Sequence, residues 1–227
     1  MTPEQLTGKS EQHLQTCLVD AKNFLIHQAV AEDFLALKEA ANQAGFHLQI
    51  ASGFRDFQRQ LSIWNLKFSG ERPLLDSQSR PLDTSHMPER EKVLAILRWS
   101  ALPGASRHHW GTDFDVYDKN ALPENEALRL EPWEYQSGHQ AQFSAWLTKH
   151  LPRFGFFLPY QRDRGGVSIE PWHISHHRVA TQCLNQMSPE IILDALADEP
   201  IAGKNTIHNM LNTIYTQFVI NIEQSGA

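Results

Sequence analysis

The sequence predicts an α+β protein, and three observations point there. Stretches with helical spacing and stretches with strand character are segregated along the chain instead of alternating in regular βαβ units. A strand-like run at His47–Ser52 is closed by Gly53 and leads straight into a second helical stretch. Apolar residues make up 41% and charged residues 20% of 227 positions, enough apolar material for the core of one domain and too little charge for disorder.

The elements follow in order. From Asp20 to Ala44, Phe24, Leu25, Val30, Phe34, Leu35, Leu37 and Ala41 recur at intervals of three and four, and Gly45 ends the pattern as a C-cap would, so one long helix is expected. Asp56–Phe68 returns to helical spacing through Phe57, Leu61, Trp64 and Phe68. Residues 69–87, with Gly70, Pro73, Pro81 and several Ser and Asp, have the composition of a long surface loop. Glu89–Trp99 predicts a short helix, and Thr112–Tyr117 a strand on which Asp113 and Asp115 share a face. Gly138–Phe154 again has helical spacing. Val167–Ser175 is strand-like with Pro171 inside it, which argues for a bulge or a sheet edge. Beyond Arg178 the pattern is mostly helical, with a candidate strand at Tyr215–Ile222.

Composition excludes several classes. Twenty Lys and Arg against 26 Asp and Glu give a net charge of -6, and no basic stripe is present to follow a phosphate backbone, so nucleic acid is not an expected partner. Cys17 and Cys183 form no CxxC and no disulfide framework. Charged residues scattered through the first 30 positions leave no signal-peptide pattern, and nothing approaches the roughly 18 consecutive apolar residues of a membrane span. The expectation is a cytoplasmic protein, or a periplasmic one if a leader has been removed.

Two segments place histidines next to carboxylates: Ser106-Arg107-His108-His109-Trp110-Gly111-Thr112-Asp113-Phe114-Asp115, and Glu170-Pro171-Trp172-His173. Neutral imidazole and carboxylate are ligands that zinc accepts in hydrolytic sites, normally three from the protein with one position left open. His108, Asp115 and His173 would fill that set. Gly111 allows a tight turn between His108 and the strand carrying Asp115. An irregularity at Pro171 would let Glu170 and His173 face one cleft, one as base and the other as ligand.

These segments resemble the LAS metallopeptidases (lysostaphin, D-alanyl-D-alanine carboxypeptidase, sonic hedgehog type), in the branch of vancomycin-resistance-type D,D-carboxypeptidases. Ser106, His108, Gly111 and Asp115 match that family's SxHxxGxAxD, and Glu170, Trp172 and His173 match its ExWH. Upstream, Ser52-Gly53-Phe54-Arg55 with Gln60 looks like its SGYR…Q segment. The matches cover roughly residues 45–178 of a single 1–227 domain, and leave the loop at 69–87 and the helical extension 179–227 without a role. One position departs from the pattern, because Asp113 stands where the family usually has Ala.

The resemblance implies a small antiparallel sheet, flanked by helices, that carries a zinc site. It further implies a carboxypeptidase with Zn2+ on His108, Asp115 and His173, Glu170 as general base, Arg55 toward the substrate, and Ser106 and Gln60 as substrate contacts. The implied substrate is a bacterial peptidoglycan stem peptide or muropeptide ending in D-alanine. An L,D-carboxypeptidase acting on tetrapeptide stems uses the same motifs, and a zinc-stabilised binding module without catalysis is the rival from another class. A serine hydrolase built on Ser106 lacks a GxSxG elbow. His109, His139, His176 and His177 have the simpler reading of packing residues, Trp110, Tyr160 and Trp172 serve equally as cleft walls or core, and His86 with Asp83 has the composition of a solvated loop.

Overall fold

The computed structural model describes residues 1–76 and 79–223. The parts of the 69–87 loop and of the C-terminal region beyond these bounds lie outside the described residues. In chain order the elements are α1 (Pro3–Leu6), β1 (Leu14–Val19), β2 (Lys22–His27), α2 (Ala31–Gln43), β3 (Leu48–Ser52), α3 (Phe57–Ser69), α4 (Glu89–Leu97), β4 (Asp113–Asp118), α5 (Pro132–Gln136), α6 (Ala141–His150), β5 (Phe156–Phe157), β6 (His173–His176), α7 (His177–Leu184), α8 (Pro189–Leu196) and α9 (Lys204–Ile214). An antiparallel sheet in the order β3-β4-β6-β5 lies at the centre, and β1 and β2 form a separate hairpin. No helix among the described residues is long and apolar enough to cross a membrane.

The expected helix over Asp20–Ala44 is the largest correction. Its first part is β2, paired with β1 across a two-residue turn in which Asp20 takes φ 53°, and only Ala31–Gln43 is helical. Phe24-Leu25-Ile26 is a short apolar run, and such a run has no period that separates helix from strand; its pairing with Thr16, Cys17 and Gln15 settles the matter. Between Val167 and Ser175 only the end is strand. Glu170–His173 is a turn, closed by His173 N–H donating to Glu170 O at 3.1 Å, and β6 begins at His173. Tyr215–Ile222 is not a strand: α9 continues into a π-helical turn at Tyr215–Val219. The helix expected from Gly138 begins at Ala141, and α5 was hidden by its brevity.

α3 shows how the local signals work. Asp56 caps it, accepting from Arg59 N–H at 2.7 Å, and Gly70 ends it at φ 85°, a left-handed conformation open to glycine. Its buried face carries Phe57, Gln60, Leu61 and Trp64. The main hydrophobic core runs from Leu6 through Phe34, Trp64, Phe114 and Ile174 to Phe218 and Val219, beside a small second cluster of Phe157, Tyr160 and Ile222. The C-terminal helices therefore pack on the same core as the sheet and are not a detached extension.

Candidate active site

Sheet register brings the site together. Asp115 on β4 lies opposite His173 on β6, and on its other side opposite Ser52 on β3, next to a register irregularity between Ile50 and Ser52. His108 arrives from a 3-10 turn at Arg107–Trp110 that Gly111 ends at φ 65°. A Cβ on Gly111 would run into Leu14 and the backbone N of His27, and Gly111 O accepts from that same N–H at 2.9 Å. The β1–β2 hairpin thus abuts the turn that aims His108.

One ligand atom each from His108, Asp115 and His173 lies within 4.8 Å of the others, and all three residues are buried. His108 Nε2 is 3.5 Å from Asp115 Oδ2, and His173 Nδ1 is 3.3 Å from Asp115 Oδ1. The fourth member, Glu170, places Oε2 at 3.4 Å from the same Nδ1.

The protonation of each ring follows from what lies behind it. His108 Nδ1 is 2.9 Å from Gly53 O, a carbonyl that can only accept, so Nδ1 carries the proton and Nε2 presents its lone pair to the cluster. Burial, against the opposing pull of Asp115, pushes the His108 ring down to about 3, which keeps it neutral. His173 is reversed: Nε2 is 2.9 Å from Asp113 Oδ1 and Nδ1 faces the cluster. Asp113 is fully buried, and although burial raises its carboxyl, Arg107, His173 and Thr112 together hold it well below the carboxylate range. Its oxygens accept from Arg107 Nε at 2.7 Å and Thr112 Oγ1 at 2.6 Å, while Arg107 also donates to Ser175 Oγ at 2.6 Å. Asp113 therefore faces away from the ligand cluster and fixes the ring of His173.

These residues fit a divalent cation. Asp115 Oδ1 is buried without a hydrogen-bond partner, in a pocket that also holds Glu170. Burial opposes charge on His173, yet Asp113, Asp115 and Glu170 outweigh it and raise its pKa well above the ordinary histidine value, so the cluster attracts positive charge. Burial raises the Glu170 carboxyl, with His173 opposing.

The cluster opens into a cleft of about 440 Å³. Arg55 lines it, donating from Nη1 to Gln60 Oε1 at 2.7 Å and from Nη2 to Ser52 Oγ at 3.0 Å, with its Nε unpaired. Ser106, Tyr160 and Trp172 also line it. Gln60, expected against the substrate, is instead fully buried beneath Arg55, where its Nε2 donates to Ala101 O at 2.6 Å. The motif arranged around these residues is joined by main chain: Arg55 N–H donates to His108 O at 3.2 Å, and Arg55 O lies 2.6 Å from Nδ1 of His109. His109 is thereby a buried brace, Trp110 is core with its Nε1 donating to Leu6 O, and His176 turns away to Asp33. His139 pairs with Glu134, and His86 is exposed.

Sequence reasoning passed over Arg107, Lys67 and the C-terminal residues Ile214, Phe218 and Val219, all of which line the cleft. Lys67 carried a signal, since Gln60, Ile63 and Lys67 fall on one face of α3. The C-terminal residues carried none, because only tertiary packing returns them to the site.

Residues 23–179 match the family model of VanY, D-alanyl-D-alanine carboxypeptidase. Two uncharacterized proteins of Haemophilus influenzae are 38% identical over 122 residues (52% of this chain, 93% of theirs) and 49% identical over 104 residues (45% and 70%). Among solved structures, VanYB in complex with D-alanine-D-alanine shares the fold with a TM-score of 0.53 at 21% identity, covering 82% of this chain and 90% of that one. A mutant of the vancomycin resistance D,D-pentapeptidase VanY in complex with Zn(II) does so with a TM-score of 0.53 at 22% identity, covering 78% and 88%. With the match spanning well over half of its length, the chain belongs to the VanY D-alanyl-D-alanine carboxypeptidase family.

Proposed function

We propose that this protein is a zinc-dependent carboxypeptidase that releases the C-terminal D-alanine from a peptidoglycan stem peptide. The observation that carries the reading is the buried His108–Asp115–His173 cluster, with Nε2 of His108 and Nδ1 of His173 turned inward and Glu170 at its edge. Zn2+ suits two neutral imidazoles and a carboxylate, and when bound it polarises the scissile carbonyl and acidifies the attacking water. Glu170 takes the proton of that water and later delivers it to the leaving amine, a task that suits a carboxyl raised by burial. Arg55, held by Ser52 and Gln60 with an unpaired N–H, offers its guanidinium to negative charge on the substrate. Ser106 lines the same wall as a polar contact for the peptide.

The test is incubation of the zinc-loaded protein with pentapeptide and tetrapeptide stems, each as free acid and as C-terminal amide, with products read by mass spectrometry. Loss of one D-alanine from the free-acid pentapeptide is expected. Loss from the tetrapeptide alone would assign L,D specificity instead, and internal cleavage of the amides would refute the carboxypeptidase reading.

A further inference from the structure

Lys67 stands in the cleft without a part in the chemistry above. α3 directs Gln60, Ile63 and Lys67 to one face, at spacings of three and four residues, toward the segment 100–102. Gln60 fastens to Ala101 O, and seven positions later, about 10 Å along the helix axis, Lys67 Nζ donates to Ser100 Oγ at 2.7 Å. The residue is half-buried, and among the described residues its ammonium is in no ion pair. A serine hydroxyl does not neutralise that charge, and a charge withdrawn from water calls for a partner of opposite sign. Burial pushes the ammonium down to about 8, with Glu170 opposing, so it remains largely protonated at neutral pH.

The surroundings identify the kind of partner. The carboxylates lining the cleft, Asp115 and Glu170, sit at the metal-binding end, where Arg55 lies beside them. The other charged lining is cationic: Lys67, which feels both Glu170 and Arg55, the buried Arg107, and the exposed Arg72 and Arg129, in a chain whose net charge is -6. We infer that Lys67 is a specificity-determining residue whose ammonium, together with Arg55, takes the free C-terminal carboxylate of the substrate peptide. The inference rests on the carboxypeptidase reading. A carboxylate has two acceptor oxygens and so can receive both cations, each already anchored to the protein by a neutral partner. A peptide continuing past this point would set a neutral amide against the ammonium and leave the charge both desolvated and unpaired. Lys67 would thus select chain ends over internal bonds.

Binding separates this inference from turnover. In a Glu170→Ala background loaded with zinc, calorimetry compares an acyl-D-Ala-D-Ala peptide with its C-terminal amide. The free acid is expected to bind at least tenfold more tightly. Lys67→Met should erase most of that preference, Lys67→Arg should retain it, and Lys67→Gln serves in place of the methionine variant if that one fails to fold. A preference unchanged in the methionine and glutamine variants overturns the role of Lys67 while leaving the carboxypeptidase reading intact. Absence of any preference in the parent overturns it as well, and cleavage of the stem peptides by the wild type is then judged on its own.

Discussion

The two halves of the metal-binding cluster are held by opposite means. On the His108 side, the ring is fixed by a backbone carbonyl, Gly53 O, and by a turn that Gly111 alone permits. On the His173 side, the ring is fixed by a side chain, Asp113, whose buried charge is in turn compensated by Arg107 and Thr112. The first is neutral and cannot be deleted by replacing a side chain. The second carries charge in a place without water, and depends on each of its members.

The largest effects should separate ligand from base. His173→Ala is expected to lose most bound zinc, whereas Glu170→Ala should keep it and lose turnover by several orders of magnitude; metal analysis of the two purified variants decides, and equal zinc loss would end the role assignment. Chelation should silence the wild type, with added zinc restoring it.

The next effect tests the charged side. Asp113→Asn leaves His173 a weaker acceptor and Arg107 a buried charge without its counter-ion. Zinc affinity should fall by about 10–100-fold, and stability by about 3–5 kcal/mol, measured by metal competition and by denaturant unfolding. Unchanged zinc affinity would mean that Asp113 does not orient the ring. On the neutral side the accessible position is Gly111. Gly111→Ala meets both a left-handed φ and the wall formed by Leu14 and His27, and should destabilise the protein by roughly 2 kcal/mol while shifting His108. Wild-type stability in that variant would refute the buttress.

The smallest effect contrasts the buried Arg107–Asp113 pair with an open one. Arg98 donates to Asp163 at 2.6 Å, with 45% of the aspartate side chain exposed. Arg98, opposed by slight burial and aided by Gly165 N–H, lowers the Asp163 carboxyl below 3.8. A depressed carboxylate contributes stability above its unfolded pKa and loses it as pH falls through the folded one. Asp163→Asn should therefore cost under about 1 kcal/mol at pH 7 and nothing once the pH is well below 3.8, by unfolding curves at both pH values.

What the sequence made legible follows the same division. Local chemistry was readable: Asp56 and Gly70 mark the ends of α3, Gly111 marks the turn before β4, and the spacing of His108 and Asp115 brings both to one cluster. Pro171 marked an irregularity, and the turn at Glu170–His173 is that irregularity. What needed tertiary pairing was not readable. Phe24-Leu25-Ile26 becomes strand because β1 lies beside it, and Gln60 leaves the substrate surface because Ala101 accepts its amide. Arg107 gave no sign of being buried, since its counter-ion lies six residues on, and the two meet only across the turn between them.

The π-helical turn at the end of α9 has a consequence for how the cleft could diversify. Ile214, Phe218 and Val219 form part of its lining, yet they fall outside the 23–179 stretch that matches the family. The lining is thus drawn from two separate stretches of chain that share one core. Substitutions at these three C-terminal positions should therefore change what the pocket admits without touching His108, Asp115 or His173.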